Sequence, residues 1–581
     1  MNRRVKVAAA MWIWLCGAAL VWAEDSILEQ IPHDALAVVV INDLSDVSAK
    51  IEKIAKQINA PAAPPLLMLK TLTGIQEGLD ESGSVALAIL PAEGAPAAVV
   101  LLVPVSDYAK FAAQLQVKDA DADISEGQLT GQTVLVGKSD DYAAITTPEF
   151  RAALEHLLES EKDISSEFES IQEWLDESDI AAAATPAGLK LALSQASMGL
   201  EQAKAAFPAD NEQAVTVMKT LEAYQAALGM LEKEATHLAI GLTVDDDGAL
   251  HLGSRTLFLK GGAVDSVAAK LTSPKTSLLA GLPAGPYAMA FAGTTPEALF
   301  SGLMKWSVEM MKMNPLYGNL DANQTEKLNA AMAESMKGVQ SMAMVMGAGK
   351  PGDSFYSNTC GLIKVKDSTA YIAQSKKAML TMGEALQDPD TKTPMYVARD
   401  LKVGGAPGLE VTMDMSSMIQ GQQAEQIKAM IEKMVGPGGK MNVYMAAADK
   451  TTVAMAYVSK EKLNQLLAAY KSGKPGLAAD PDVTKTGALL PEGSQWVGYV
   501  NPKGFLEFIN VVVTTLMPPD GPQFTLPPFP QTAPIGMGAR LDAKGLETDV
   551  VVPAKLLAAI ADYARQLQNQ FQPAPAAEDA L

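Results

Sequence analysis

The stretch that most narrows the fold is residues 236–271. Residues 237–244 form an apolar run of strand length, Asp245-Asp246-Asp247-Gly248 reads as a turn, and residues 249–260 read as a second strand. Asp-Gly readily takes the positive φ that a tight hairpin requires. Val264, Val267 and Leu271 then follow at helical spacing. A two-stranded hairpin is marginal alone, so this unit needs a helix on its apolar face and a further strand beside it.

The unit recurs. Strand, helix, hairpin and helix follow one another near residues 28–115, 175–271, 282–385, 405–470 and 489–567. Ile31-Pro32, Leu282-Pro283 and Leu490-Pro491 lead into three of the first strands. Caps and breakers mark the helices: Ser106 or Asp107 before residue 108, Asp367-Ser368, Ser459, and Pro553 at a first-turn position. The chain is too long for one core. The pattern predicts an α+β fold of repeated strand–helix–hairpin–helix modules, forming mainly antiparallel sheets with helices packed on one face. The expected domains are a signal peptide at 1–23, a first module at 24–160, a second at 161–275 with an acidic helical insertion, a third at 276–400, a fourth and fifth within 401–567, and a disordered tail at 568–581.

Ile31-Pro32 with residues 35–41, residues 85–103 and residues 142–154 carry a resemblance to a family of exported bacterial repeat-module proteins of unknown function. The resemblance implies an exported, repeated architecture and transfers no catalytic residue.

The first residues agree with export. Arg3, Arg4 and Lys6 precede an apolar core at 7–20, and Val21-Trp22-Ala23 offers a cleavage site before Glu24-Asp25. The alternative is a retained anchor helix. Cleavage removes three positive charges from a formal net charge of -21, leaving about -24. That balance argues against nucleic-acid binding, which needs clustered Lys and Arg. If Cys16 leaves with the leader, Cys360 is the only cysteine left and no intrachain disulfide is then possible. Cys360 sits in an apolar run and reads as a small buried hydrophobe.

No catalytic constellation emerges. His237 and His251, on paired strands, could face each other across the hairpin; His33 and His156 stand apart, and zinc usually takes three or four protein ligands. Asp119, Asp121 and Asp123 imitate the start of a calcium loop, but Ile124 and Thr130 occupy the positions that need Gly and Glu. Gly347, Gly349 and Gly352 match a dinucleotide fingerprint on paper, yet a strand follows where a helix is required. Asn323-Gln324-Thr325 is a glycosylation sequon. Methionine is the least ordinary component. Met342, Met344 and Met346 alternate on one strand face, Met310, Met311 and Met313 share a helical stretch, and Met413 and Met415 fall on another strand. Core filling explains them best, with Cu(I) binding by thioethers as an alternative. No catalytic, cofactor-binding or metal residues are assigned and no cofactor is implied. The expected role is an exported, non-enzymatic binding or scaffolding protein with an unknown protein partner or apolar ligand. The alternatives are a carrier of lipid or peptide, a copper binder and, less favoured, an enzyme of unrecognised class. No stable membrane span is expected after the leader is removed.

Overall fold

The computed structural model describes residues 26–205, 212–274, 276–294, 321–347, 354–387, 394–415, 424–516 and 526–571. The segment expected as a signal peptide (1–23), Met310, Met311 and Met313, and Gly349 and Gly352 of the glycine-rich run lie outside them. The chain divides into two compact units. Unit 1 comprises Met1–Ile51 and Ala63–Gly188; unit 2 comprises Glu52–Ala62 and Leu189–Leu581. The α+β class holds, with nineteen strands among the described residues and every strand pairing antiparallel.

Unit 1 contains β1 (Ala37–Ile41), β2 (Val85–Leu90), β3 (Ala98–Pro104), β4 (Ile124–Leu129), β5 (Gln132–Ser139), β6 (Tyr142–Thr146) and β7 (Ile180–Ala184). They pair in the order β7-β1-β2-β3-β6-β5-β4. Unit 2 contains β8 (Ala235–Val244), β9 (Leu250–Phe258), β10 (Met289–Thr294), β11 (Val339–Met346), β12 (Thr359–Val365), β13 (Tyr396–Val403), β14 (Ala406–Asp414), β15 (Lys440–Ala447), β16 (Thr452–Tyr457), β17 (Trp496–Val500), β18 (Ile535–Asp542) and β19 (Gly545–Val552). Their order is β8-β9-β19-β18-β17-β10-β11-β12-β16-β15-β14-β13. The run from β17 to β14 follows the same order as the run from β7 to β4.

Helices do not keep to one face, and this corrects the expectation. On β12, Cys360 and Leu362 join a core with Leu463 and Leu466 of the Lys460–Lys471 helix. Ile363 and Val365 join a separate core with Tyr371 and Ile372 of the Ser368–Ala385 helix. Successive strand residues point to opposite faces, so a strand apolar at consecutive positions must be covered on both. In unit 1, Val134 and Val136 pack with Phe111 of the Tyr108–Gln114 helix. Gly137, on the other face of β5, lies against Leu154 and Leu158 of the Arg151–Glu159 helix. At the far end, the Ala554–Phe571 helix runs into the stretch expected as a disordered tail; residues 572–581 lie outside the described residues.

Candidate functional site

Each unit contains a corner built from a buried lead segment, a short helix and two paired strands. In unit 1 the lead is Ser26-Ile27-Leu28-Glu29-Gln30-Ile31-Pro32; in unit 2 it is Ser277-Leu278-Leu279-Ala280-Gly281-Leu282-Pro283. Ile31 and Leu282 are fully buried. The Ile31 carbonyl accepts from the Ile164 N–H at 2.8 Å, and the Leu282 carbonyl from the Leu477 N–H at 3.1 Å. Leu490-Pro491 precedes β17 but is not held in this manner; it lines a cavity.

Both corners leave the sheet through the same turn. Thr185-Pro186-Ala187-Gly188 follows β7, and Asn501-Pro502-Lys503-Gly504 follows β17. The Thr185 hydroxyl accepts from the Gly188 N–H at 3.3 Å, and the Asn501 Oδ1 from the Gly504 N–H at 3.0 Å. These are helix caps. Glycine is required at both positions, because a Cβ on Gly188 would lie 1.7 Å from the Leu36 carbonyl oxygen and one on Gly504 would lie 2.0 Å from that of Tyr287.

The corners differ in what they enclose. In unit 1, Ile27, Leu28, Val38, Val40, Leu175 and Ala181 leave a void of only about 10 Å³. The Asn42 amide, just past β1, donates to the carbonyls of Leu175 at 2.8 Å, Asp176 at 3.3 Å and Ser178 at 2.6 Å. Ser26 adds a bond from its hydroxyl to Asp176 at 3.2 Å. Burial raises the Asp176 carboxyl above its usual range, against the lowering effect of that bond. In unit 2, Thr294 holds the position of Asn42. The Asn42 N–H bonds to the Asp179 carbonyl at 3.0 Å, and the Thr294 N–H to the Gln495 carbonyl at 2.9 Å. The Thr294 hydroxyl is buried without a hydrogen-bond partner. Here the corner opens into a cavity of about 640 Å³. Leu278, Leu279, Val483, Leu490, Val497 and Tyr499 supply its apolar wall, while Ser277, Thr484, Glu492 and Ser494 add polar groups. The cavity opens broadly to solvent, with polar and apolar groups both on its walls, and its volume is in the range of small-molecule sites.

The residues singled out by sequence fall elsewhere. His237 and His251 are not opposed, since His237 pairs with Leu257 and His251 with Thr243. His251 lies 3.5 Å from Asp245, and His156 bonds Asp34 at 2.8 Å. Among the described residues no three His, Cys, Asp or Glu side chains are grouped to hold a metal. Asp245 and Gly248 form the hairpin turn, with Gly248 at φ 87° and the Asp245 carboxylate accepting from the Ala249 N–H at 2.7 Å. Asp119 and Asp121 lie in a turn where the Asp119 carboxylate accepts from the Asp121 N–H at 3.1 Å. Asn323 begins a helix, and Thr325 of its sequon is buried. Cys360 is fully buried, and burial raises its thiol to about 11.

Met342, Met344 and Met346 share one face of β11, where Met346 pairs with Met289 and Met344 with Phe291. Met413 lies on β14, and Met415 falls past its end. Phe291 belongs to an apolar row crossing six strands: Leu252, Val550, Met537, Gly498, Phe291, Met344. Leu252, Met537 and Phe291 are exposed in this row. Compared with known protein families, curated proteins and solved structures, the chain has no match.

Proposed function

We propose that this is an exported, non-enzymatic binding protein built from repeated α+β modules, and that it carries a small apolar ligand in the cavity of unit 2. The observation behind the ligand is the contrast between the corners. The same arrangement is closed to about 10 Å³ in unit 1 and open to about 640 Å³ in unit 2. Its volume is in the range that seats a small molecule, and Leu278, Leu279, Val483, Leu490, Val497 and Tyr499 give it an apolar wall. The repeated-module reading is supported by the matching lead segments, cap-Pro-x-Gly turns and strand orders. Export rests on the basic and apolar sequence of residues 1–23. Among the described residues no helix is long and apolar enough to cross a membrane.

The test is titration of the purified full chain with a fluorescent fatty-acid analogue. Ala488, exposed at the cavity wall, is replaced by Trp so that the cavity fills without disturbing the core. Saturable binding, weakened at least about tenfold by Ala488→Trp, is the expected result. Absence of saturable binding, or equal binding by the variant, overturns the reading.

A further inference from the structure

One polar group on the cavity wall of unit 2 is buried and unengaged. Tyr499, on β17, lines the cavity and is 5% exposed. Among the described residues its hydroxyl has no hydrogen-bond partner, and unlike the Tyr287 hydroxyl it is not sealed from solvent. The Pro481–Gly487 helix ends beside it. Gly487 lines the cavity too, and a Cβ there would lie 2.7 Å from the Tyr499 hydroxyl oxygen. A larger residue would press on the hydroxyl; glycine leaves it open. Unit 1 has no such group. There Ala183 pairs with Val38, as Tyr499 pairs with Ala290, at the same distance along the strand from Asn42 and Thr294 respectively.

The other polar groups on the wall are placed differently. The Ser494 hydroxyl donates to the Pro491 carbonyl at 2.6 Å. Thr276, Ser277, Thr484 and Glu492 are exposed. Among the described lining residues Glu492 carries the one charge, and it is negative. A carboxylate drawn into the cavity would lose its hydration and meet no cation among them. A fatty acid can enter only with its head left in solvent at the open side. Burial raises the Tyr499 phenol above its ordinary pKa, so it stays neutral and keeps a proton to donate. The partner this calls for is an uncharged acceptor attached to an apolar body. An ester carbonyl at the end of an alkyl chain is such a group.

We propose that the ligand of this cavity is a neutral acyl ester, its carbonyl oxygen accepting from the Tyr499 hydroxyl and its chain lying along Leu278, Leu279, Val483 and Leu490. This rests on the reading of the cavity as an apolar-ligand site and adds the polar contact that selects among such ligands.

The test is displacement of the fluorescent fatty-acid analogue from the full chain at about pH 8 by methyl octanoate, by octanoate and by 1-chlorooctane, which is neutral but a poor acceptor. Methyl octanoate should displace the analogue at about tenfold lower concentration than octanoate. Tyr499→Phe keeps the ring and removes the hydroxyl. It should weaken methyl octanoate about fivefold and leave 1-chlorooctane and the analogue unchanged, a pattern that a collapsed cavity cannot give. Gly487→Ala, which covers the hydroxyl, should weaken the ester in the same selective way. Tighter binding of octanoate than of the ester, full ester affinity in Tyr499→Phe, or equal loss of all three competitors in that variant overturns the proposal while the cavity stands as an apolar-ligand site. If the analogue itself does not bind saturably, both readings fall.

Discussion

The corner of unit 1 and the corner of unit 2 share a lead segment, a strand pairing and a capped exit turn, yet one is filled and the other open. The difference turns on few side chains. Asn42 reaches three carbonyls of the segment that leads into β7 and draws it onto the strands. Thr294 is too short to do so, and its hydroxyl is left without a partner. Ser26 and Asp176 are bonded across the first corner, whereas Ser277 and Glu492, in the same positions, line the second cavity. One framework is therefore filled in one place and open in another, because the loop is held by side chains and not by the strands themselves.

The exit turns should fail in the same way in both units. Gly188→Ala or Gly504→Ala places a Cβ on a carbonyl oxygen that neither strand nor helix can move cheaply. Each should cost about 3 kcal/mol or more, read by chemical denaturation, with hydrogen exchange reporting the loss in the unit that carries the change. A small effect in one unit would break the equivalence of the turns.

Exchanging the clamp residues is the sharper test. Asn42→Thr should lose about 2–3 kcal/mol in unit 1, because it abandons three carbonyls in a half-buried loop. Thr294→Asn should pull the 491–494 loop inward and weaken fatty-acid analogue binding about tenfold, measured by the same titration. If Thr294→Asn leaves that binding unchanged, the clamp does not control the cavity.

A third contrast is electrostatic. Next to Asn42, Asp179 holds Lys50 at 2.7 Å, and Asp46 adds a contact at 2.8 Å. Burial pulls the Lys50 pKa down, but hydrogen bonds and charge from Asp179 and Asp46 outweigh it and leave it raised. The pair's contribution is thus whole below the unfolded lysine value, about 10.4, and is lost as pH climbs through the higher folded value. In unit 2 the same position is Gln495, whose side chain donates to the Leu541 carbonyl at 3.0 Å and accepts from its N–H at 2.7 Å. Hydrogen exchange at rising alkaline pH should show this region of unit 1 loosening before the Gln495 region does.

The smallest effect concerns Cys360. Its thiol, raised to about 11 by burial, should resist alkylation near pH 8 until unit 2 unfolds, measured by mass spectrometry under increasing denaturant. Prompt labelling in the folded protein would show that this part of the core opens locally.

Much of the local structure was legible. The β8–β9 hairpin, its Asp–Gly turn and the capped helices follow from signals spanning a few residues. The β4–β5 hairpin and β13 were not legible, because Ile124-Ser125-Glu126-Gly127-Gln128-Leu129 lacks clean alternation and Arg399, Asp400 and Lys402 interrupt β13. Two-sided burial escaped notice because small residues carry it: Ala290, Ala292, Ala343, Ala446, Ala454 and Ala456 form much of one core. His237 and His251 looked opposed because only the strands, and not their register, could be read. The Leu-Pro leads pointed toward the corners, but nothing local marked Asn42 and Thr294 as the residues that set their volume.

The sequence by itself determined where strands, turns and helix starts would fall, since propensity, capping and positive-φ glycines act within a few residues. It also determined that stability must come mainly from burial, since two cysteines allow at most one disulfide. The tertiary structure alone decided the strand order, the coverage of both sheet faces and the opening of one corner. Those depend on contacts between segments far apart in the chain and on how completely their side chains fill the space between them, and neither is encoded in any local pattern.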